Sequence, residues 1–141
     1  MSLESLWGEL PDTTGLSTPV TILREQALLL TEMTNRVLEG VVGVWKGRST
    51  GVLVADLDII APVLDNYQVS IVRIKHDVQL YPVNLQNMLS GRTYEATNED
   101  EFINALRDML TSPEVRRAIT GLLVQSRPTE MAKVDPSGIP F

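Results

Sequence analysis

Cysteine is absent from this chain of 141 residues, and histidine occurs once. A chain without cysteine has no disulfide framework and no thiolate metal site, and one histidine cannot build a zinc site from several imidazoles. Long apolar runs are also missing, because the longest one in the body, residues 59–64, is far too short to span a bilayer. We therefore expect no membrane association and no bound cofactor.

Basic residues are outnumbered, with 12 Lys and Arg against 18 Asp and Glu, which gives a formal net charge of -6. A nucleic-acid backbone is bound by clustered cationic side chains, and here they are scattered, so we expect no nucleic-acid partner. An acidic surface is typical of a cytosolic protein. The first residues, Met1 to Glu4, also lack the basic region of a signal peptide, which favours a cytoplasmic location.

The centre of the chain, residues 52–85, is rich in β-branched residues and is divided by turn formers. Strands are predicted over residues 41–45, 52–61, 67–76 and about 78–85, and the short turns between them indicate a four-stranded antiparallel meander. Pro82 favours an edge position for the fourth strand. Neither face of the third strand is cleanly apolar, so a bulge or a twist is predicted near Ile71 and Val72.

Helices are predicted before and after these strands. Thr18 and Pro19 are typical of a helix start, and Gly40 is expected to end this first helix in a left-handed conformation. Asn98, with Glu101 in a capping-box position, begins a second helix, and Ser112 begins a third that ends before Pro128. The predicted fold is α+β in the order α-β-β-β-β-α-α. It consists of a single domain, residues 18–127, between an arm (1–17) and a tail (128–141).

Two groups of side chains are candidates for chemistry. Asp56 and Asp58 are two residues apart on the second strand and so share one face, where they would suit a divalent metal. The alternative is that they are ordinary acidic residues on the solvent-exposed face of a sheet. Tyr67, Tyr81 and His76 are the candidate ligand-binding residues, at the mouth of a pocket between sheet and helices. The alternative is that the tyrosines pack sheet against helix and that His76 stabilises a turn.

Residues 65–67, Asp-Asn-Tyr, look like a functional motif, but we interpret them as structural. Asp65 and Asn66 are expected to bond to nearby backbone N–H groups, and Asn66 tolerates a positive φ. Tyr67 is then expected to restart the strand ladder and to lay its ring on the core.

The first helix is apolar beyond one face, because Leu29 and Met33 widen its stripe. Such a helix needs cover on more than one side, from the rest of the chain or from another subunit. Trp7, in the arm, is either an anchor on the body or a contact with a partner. Leu29, Met33 and Trp7 are therefore the candidate interface residues of a homodimer, or of a complex with another protein.

Three stretches carry a resemblance: residues 18–27, residues 60–67 and residues 80–83. They resemble a loose group of bacterial proteins of similar length that have no established activity. The resemblance covers most of the body and implies a bacterial, intracellular α+β protein, but it supplies no catalytic residue. At the level of architecture, small acidic α+β proteins also include secretion chaperones and immunity-type proteins.

No catalytic constellation emerges from these patterns. We therefore expect a non-enzymatic protein–protein interaction module, adaptor-like, chaperone-like or immunity-like, that acts as a homo-oligomer. The alternative is a small-molecule-binding protein or an enzyme with a pocket between sheet and helices.

Overall fold

The computed structural model describes residues 4–47 and 51–127 of the chain. The predicted tail (128–141) and part of the first hairpin loop (48–50) lie outside these residues. In chain order the elements are α1 (Pro19–Met33), β1 (Glu39–Lys46), β2 (Leu53–Ala61), a 3₁₀ turn (Pro62–Leu64), β3 (Tyr67–His76), β4 (Val83–Asn87), β5 (Thr93–Ala96), α2 (Glu99–Leu110) and α3 (Pro113–Gln125).

The five strands form one antiparallel sheet in the order β1-β2-β3-β4-β5, so every neighbour in space is also a neighbour in sequence. The helices pack on one face of it, and the core between the two layers is fully buried. Representative core side chains come from α1, the sheet and α2: Leu23, Ile59, Val72, Phe102 and Met109. The predicted α+β meander is confirmed, with five strands rather than four.

The additional strand corrects the prediction for the region after His76. The fourth strand is Val83–Asn87 rather than residues 78–85, and the predicted loop that follows contains β5. Asn87 shapes the hairpin between them, because its side-chain oxygen accepts hydrogen bonds from the N–H groups of Leu89 and Ser90. Pro82 precedes the strand and therefore removes no ladder hydrogen bond, so β4 lies inside the sheet and β5 forms the edge.

Helix α1 begins as predicted, with the Thr18 hydroxyl accepting a hydrogen bond from the N–H of Thr21 at 3.0 Å. It ends at Met33, however, and not at Gly40. Asn35 and Arg36 turn the chain through left-handed conformations, and Gly40 belongs to β1. Gly40 is needed there because a Cβ would lie 2.7 Å from the Ala27 Cα, so that only glycine lets α1 approach the sheet this closely.

The predicted irregularity in β3 is confirmed as a β-bulge. Leu57 pairs with Val72 and Asp58 with Ser70, which leaves Ile71 as an extra residue. The bulge reverses the alternation of side chains along the strand. As a result Tyr67, near one end, and His76, at the other, both point to the helix-covered face.

Helix α2 has the predicted cap. The Asn98 side-chain oxygen accepts a hydrogen bond from the N–H of Glu101 at 2.9 Å. The Glu101 carboxylate in turn accepts one from the N–H of Thr97, one residue before the cap, and a second from the Thr97 hydroxyl. These bonds favour the ionised carboxylate and lower the pKa of Glu101, and they fix where the chain leaves β5.

Candidate functional site

The three candidate ligand-binding residues are not gathered at one site. Tyr67 is the first residue of β3 and His76 is the last. At about 3.3 Å of rise per residue, the nine steps between them span roughly 30 Å. Tyr81 lies in the connection between β3 and β4, after His76 in the chain.

His76 and Tyr81 place polar atoms in the protein interior. His76 is 5% exposed, and its Nδ1 lies 2.7 Å from the backbone oxygen of Asp77, so Nδ1 carries the proton and donates it. Its Nε2 and the Tyr81 hydroxyl are both buried without a hydrogen-bond partner among the described residues. Burial, with a smaller contribution from Glu99, raises the pKa of Tyr81 and keeps this phenol neutral.

Asp56 and Asp58 share the uncovered face of the sheet, as predicted, but Asp56 is held by an arginine. Arg73 donates from Nε to one Asp56 oxygen at 2.8 Å and from a terminal nitrogen to the other at 2.9 Å. The Asp56 carboxylate raises the pKa of Arg73 through these bonds, and the guanidinium also lies over the Trp45 ring, 5.3 Å from its centroid. This stack of Trp45, Arg73 and Asp56 is a structural cluster.

Asp58 is also engaged, because the Gln68 amide donates to its Oδ2 at 2.7 Å. Across residues 4–47 and 51–127, no three His, Cys, Asp or Glu side chains are grouped to hold a metal ion. Sequence patterns did not reveal the Asp56–Arg73 pair, since finding it requires the register of β2 against β3.

Of the candidate ligand-binding residues, Tyr67 lines a large cavity among the described residues. The residue is 57% exposed, so its ring is not buried on the core as predicted. It forms one wall of a cleft of about 510 Å³, together with Leu64 and Val69, and α3 forms the opposite wall. We call this cavity the β3–α3 cleft; the helix contributes Arg117, Ala118, Gly121, Leu122 and Gln125 to it.

The candidate interface residues of α1 border a second feature. Leu29 and Met33 are 44% and 80% exposed, and both line an apolar groove of about 160 Å³. The opposite wall consists of Val115 and Ile119 of α3 with Leu110 of α2, and the floor is formed by Leu57 and Ile71 of the sheet. We call it the α1–α3 groove. Trp7 is 82% exposed, so the expectation that it anchors the arm to the body is wrong.

A further cavity, also of about 510 Å³, lies between α1 and α2. Glu25, Glu99 and Arg107 line it, so it carries charges of both signs and favours no single class of ligand. None of the helices in the described residues is long and apolar enough to cross a bilayer.

Comparisons with protein-family models, with curated proteins and with solved structures found no match to this chain. The function therefore has to be argued from the cleft, the groove and the side chains around them.

Proposed function

We propose that this protein is a non-enzymatic protein–protein interaction module, adaptor-like, chaperone-like or immunity-like, and that it forms a twofold homodimer through the α1–α3 groove. We place it in the bacterial cytoplasm, because an acidic surface and the absence of cysteine are typical of cytoplasmic proteins. The observation that carries the proposal is the exposure of Met33 and Leu29 directly beside a groove that reaches the sheet.

The floor of the groove supports this proposal. Leu57 and Ile71 are 3% and 2% exposed and belong to the hydrophobic core, yet they line the groove between the helices. These two side chains are buried, and the helices above them leave a narrow apolar recess that a partner's side chain can enter. Apolar surface of this kind, bordered by the exposed side chains of Leu29 and Met33, is typical of an interaction site.

A second copy of the chain is the occupant that we favour. A twofold interface uses the same patch on both subunits, so the patch must carry a projection and a recess side by side. Met33 and Leu29 are the projections and the groove is the recess. In a twofold pair, Met33 of each copy would reach the groove of the other, and the unbranched Met side chain adapts to an irregular recess.

The test is light scattering coupled to size exclusion, at high micromolar concentration. The wild-type chain is expected to elute as a dimer, and Met33→Glu as a monomer. Placing a charge at the centre of an apolar interface should weaken the dimer by about 2 kcal/mol or more, or roughly thirtyfold.

The matched control is Val78→Glu. Val78 is 86% exposed, lies in the connection between β3 and β4 and does not line the groove, so this variant should remain dimeric. A monomeric wild-type chain at high micromolar concentration would refute the proposal. Equal dimerisation of the wild type and Met33→Glu would instead move the interface away from the groove.

A further inference from the structure

The β3–α3 cleft has the chemistry of a binding site and is separate from the α1–α3 groove. Its volume of about 510 Å³ falls within the range of pockets that hold small ligands. It uses the flank of α3 that contains Arg117 and Gly121, whereas the groove uses the flank with Val115 and Ile119. Occupation of one therefore does not require the other.

Gly121 is the first pointer to a ligand, because the fold does not require glycine at this position. It lies inside α3, where glycine is less favourable than alanine. A Cβ at Gly121 would meet only the Gln125 amide nitrogen, at an ordinary contact distance of 3.8 Å. The missing side chain leaves the cleft open. An open cleft therefore explains why glycine occupies this position, although glycine destabilises a helix.

Arg117 is the second pointer, because it is the one charged side chain that residues 4–47 and 51–127 contribute to the lining of the cleft. It makes no ion pair with any described residue. The ion pair found among the described residues joins Arg73 to Asp56, outside the cleft. In a protein with a net charge of -6, a cation that forms no ion pair within the described part of the chain and lies beside an apolar cavity favours a ligand with one negative group.

The rest of the lining describes the body of that ligand. Leu64, Val69 and Leu122 make the interior apolar, and the exposed ring of Tyr67 extends this surface to the rim. Among the described residues, none of those that line the cleft is acidic and would repel an anion. An apolar interior with a single cation complements an amphipathic carboxylate.

We propose that the β3–α3 cleft binds a small amphipathic carboxylic acid, with its carboxylate on Arg117 and its hydrocarbon body against Leu64, Val69 and Gly121. The guanidinium of Arg117 donates two parallel hydrogen bonds to the carboxylate. The hydrocarbon fills the space that a larger residue at position 121 would occupy.

Titration calorimetry with laurate as the probe tests this proposal on the full chain. The wild type is expected to bind laurate saturably at one site per chain and lauryl alcohol about tenfold more weakly, since the alcohol lacks the charge. Arg117→Gln should weaken laurate binding by about tenfold and leave the alcohol unchanged. Arg116→Gln, which alters an exposed neighbour outside the lining, should bind laurate like the wild type.

A second pair of variants separates occupation of the cleft from folding. Gly121→Leu should fill the cavity and abolish laurate binding. Gly121→Ala should raise the melting temperature, because alanine favours the helix, while it weakens binding. Absence of saturable binding to the wild type would overturn the proposal, and so would equal losses in Arg117→Gln and Arg116→Gln or full binding by Gly121→Leu. If Gly121→Leu does not fold, Gly121→Ala replaces it in the test of the cavity, and unchanged laurate affinity in that variant overturns the proposal.

Discussion

Asp65 shows how a residue that resembles part of a functional motif can be explained by backbone conformation. Asp65 and Asn66 have φ values of 59° and 57°, in the left-handed region, where they turn the chain from the 3₁₀ turn into β3. The expected positive φ of Asn66 is confirmed. The Asp65 carboxylate, by contrast, has no hydrogen-bond partner among the described residues, while its backbone N–H bonds to the Pro62 oxygen. The conformation, rather than a side-chain bond, is what this position requires.

Two substitutions at position 65 distinguish these explanations. Asp65→Ala should lower the free energy of unfolding by about 1 kcal/mol, because alanine tolerates the left-handed region less well than aspartate. Asp65→Gly should be at least as stable as the wild type, with any loss of unfolding free energy below about 0.5 kcal/mol, since glycine adopts the left-handed region without strain. Urea denaturation measures both. If glycine destabilises as much as alanine, the carboxylate itself makes a stabilising interaction and the conformational account is wrong.

Among the secondary-structure elements, sequence patterns identified those with strong periodicity or clear caps. The starts of α1, α2 and α3 follow from their capping residues, Thr18, Asn98 and Ser112. The extent of β3 and its bulge follow from the pattern of apolar and polar residues along the strand. Strand β5 was missed because four residues are too few to show a period, and β4 was displaced because its start lies after Pro82. These two outcomes depend on strand pairing, which local sequence does not encode.

The end of α1 was misplaced for a similar reason. Apolar residues at helical spacing continue through Val37, but the helix ends at Met33 because the chain must turn back onto the sheet. Thr31 and Thr34 stabilise this turn with their hydroxyl groups: Thr31 accepts a hydrogen bond from the N–H of Gly40, and Thr34 accepts one from Leu38. Gly40 is therefore required by the contact between α1 and β1, and not by a helix cap.

Two alanine substitutions in β1 test the close packing of α1 on β1. Gly40→Ala forces a Cβ against the backbone of Ala27, so it should lower the free energy of unfolding by about 1–3 kcal/mol. Gly43→Ala is the matched control, because a Cβ there meets nothing within 4 Å and alanine reduces the entropy of the unfolded chain. Thermal and urea denaturation should find Gly43→Ala at least as stable as the wild type. Equal effects of the two substitutions would contradict the packing argument.

At the scale of the whole molecule, sequence reasoning predicted single members of the candidate sites but not how they combine. Tyr67 was predicted at the mouth of a pocket, and it does line the β3–α3 cleft, but Arg117 and Gly121 on the opposite wall were not predicted. The side of α3 that faces the cleft mixes charged, small and apolar residues, so it lacks the pattern of a packed face. Only the packing of α3 on the sheet brings residues 64–69 together with residues 117–125.

Dimerisation through the α1–α3 groove has a consequence for stability that can be measured without sizing the particle in solution. If a second copy seals the strip of core above Leu57 and Ile71, folding and association are coupled, and the unfolding temperature depends on protein concentration. For a dimer that unfolds to two separate chains, each tenfold rise in concentration adds about 1.4 kcal/mol to the apparent free energy of unfolding. The wild-type Tm should therefore rise by a few degrees Celsius per decade.

Differential scanning calorimetry over a hundredfold range of concentration measures this dependence. Met33→Glu should lose it, because the charged side chain cannot enter the groove of a partner, whereas Val78→Glu should keep the wild-type slope. At the lowest concentration, where the wild type is also dissociated, Met33→Glu and the wild type should unfold at nearly the same temperature, since Met33 is 80% exposed in the single chain. A wild-type Tm that does not change with concentration would mean that the core above Leu57 and Ile71 is stable without a second copy, and that the groove is not the dimer interface.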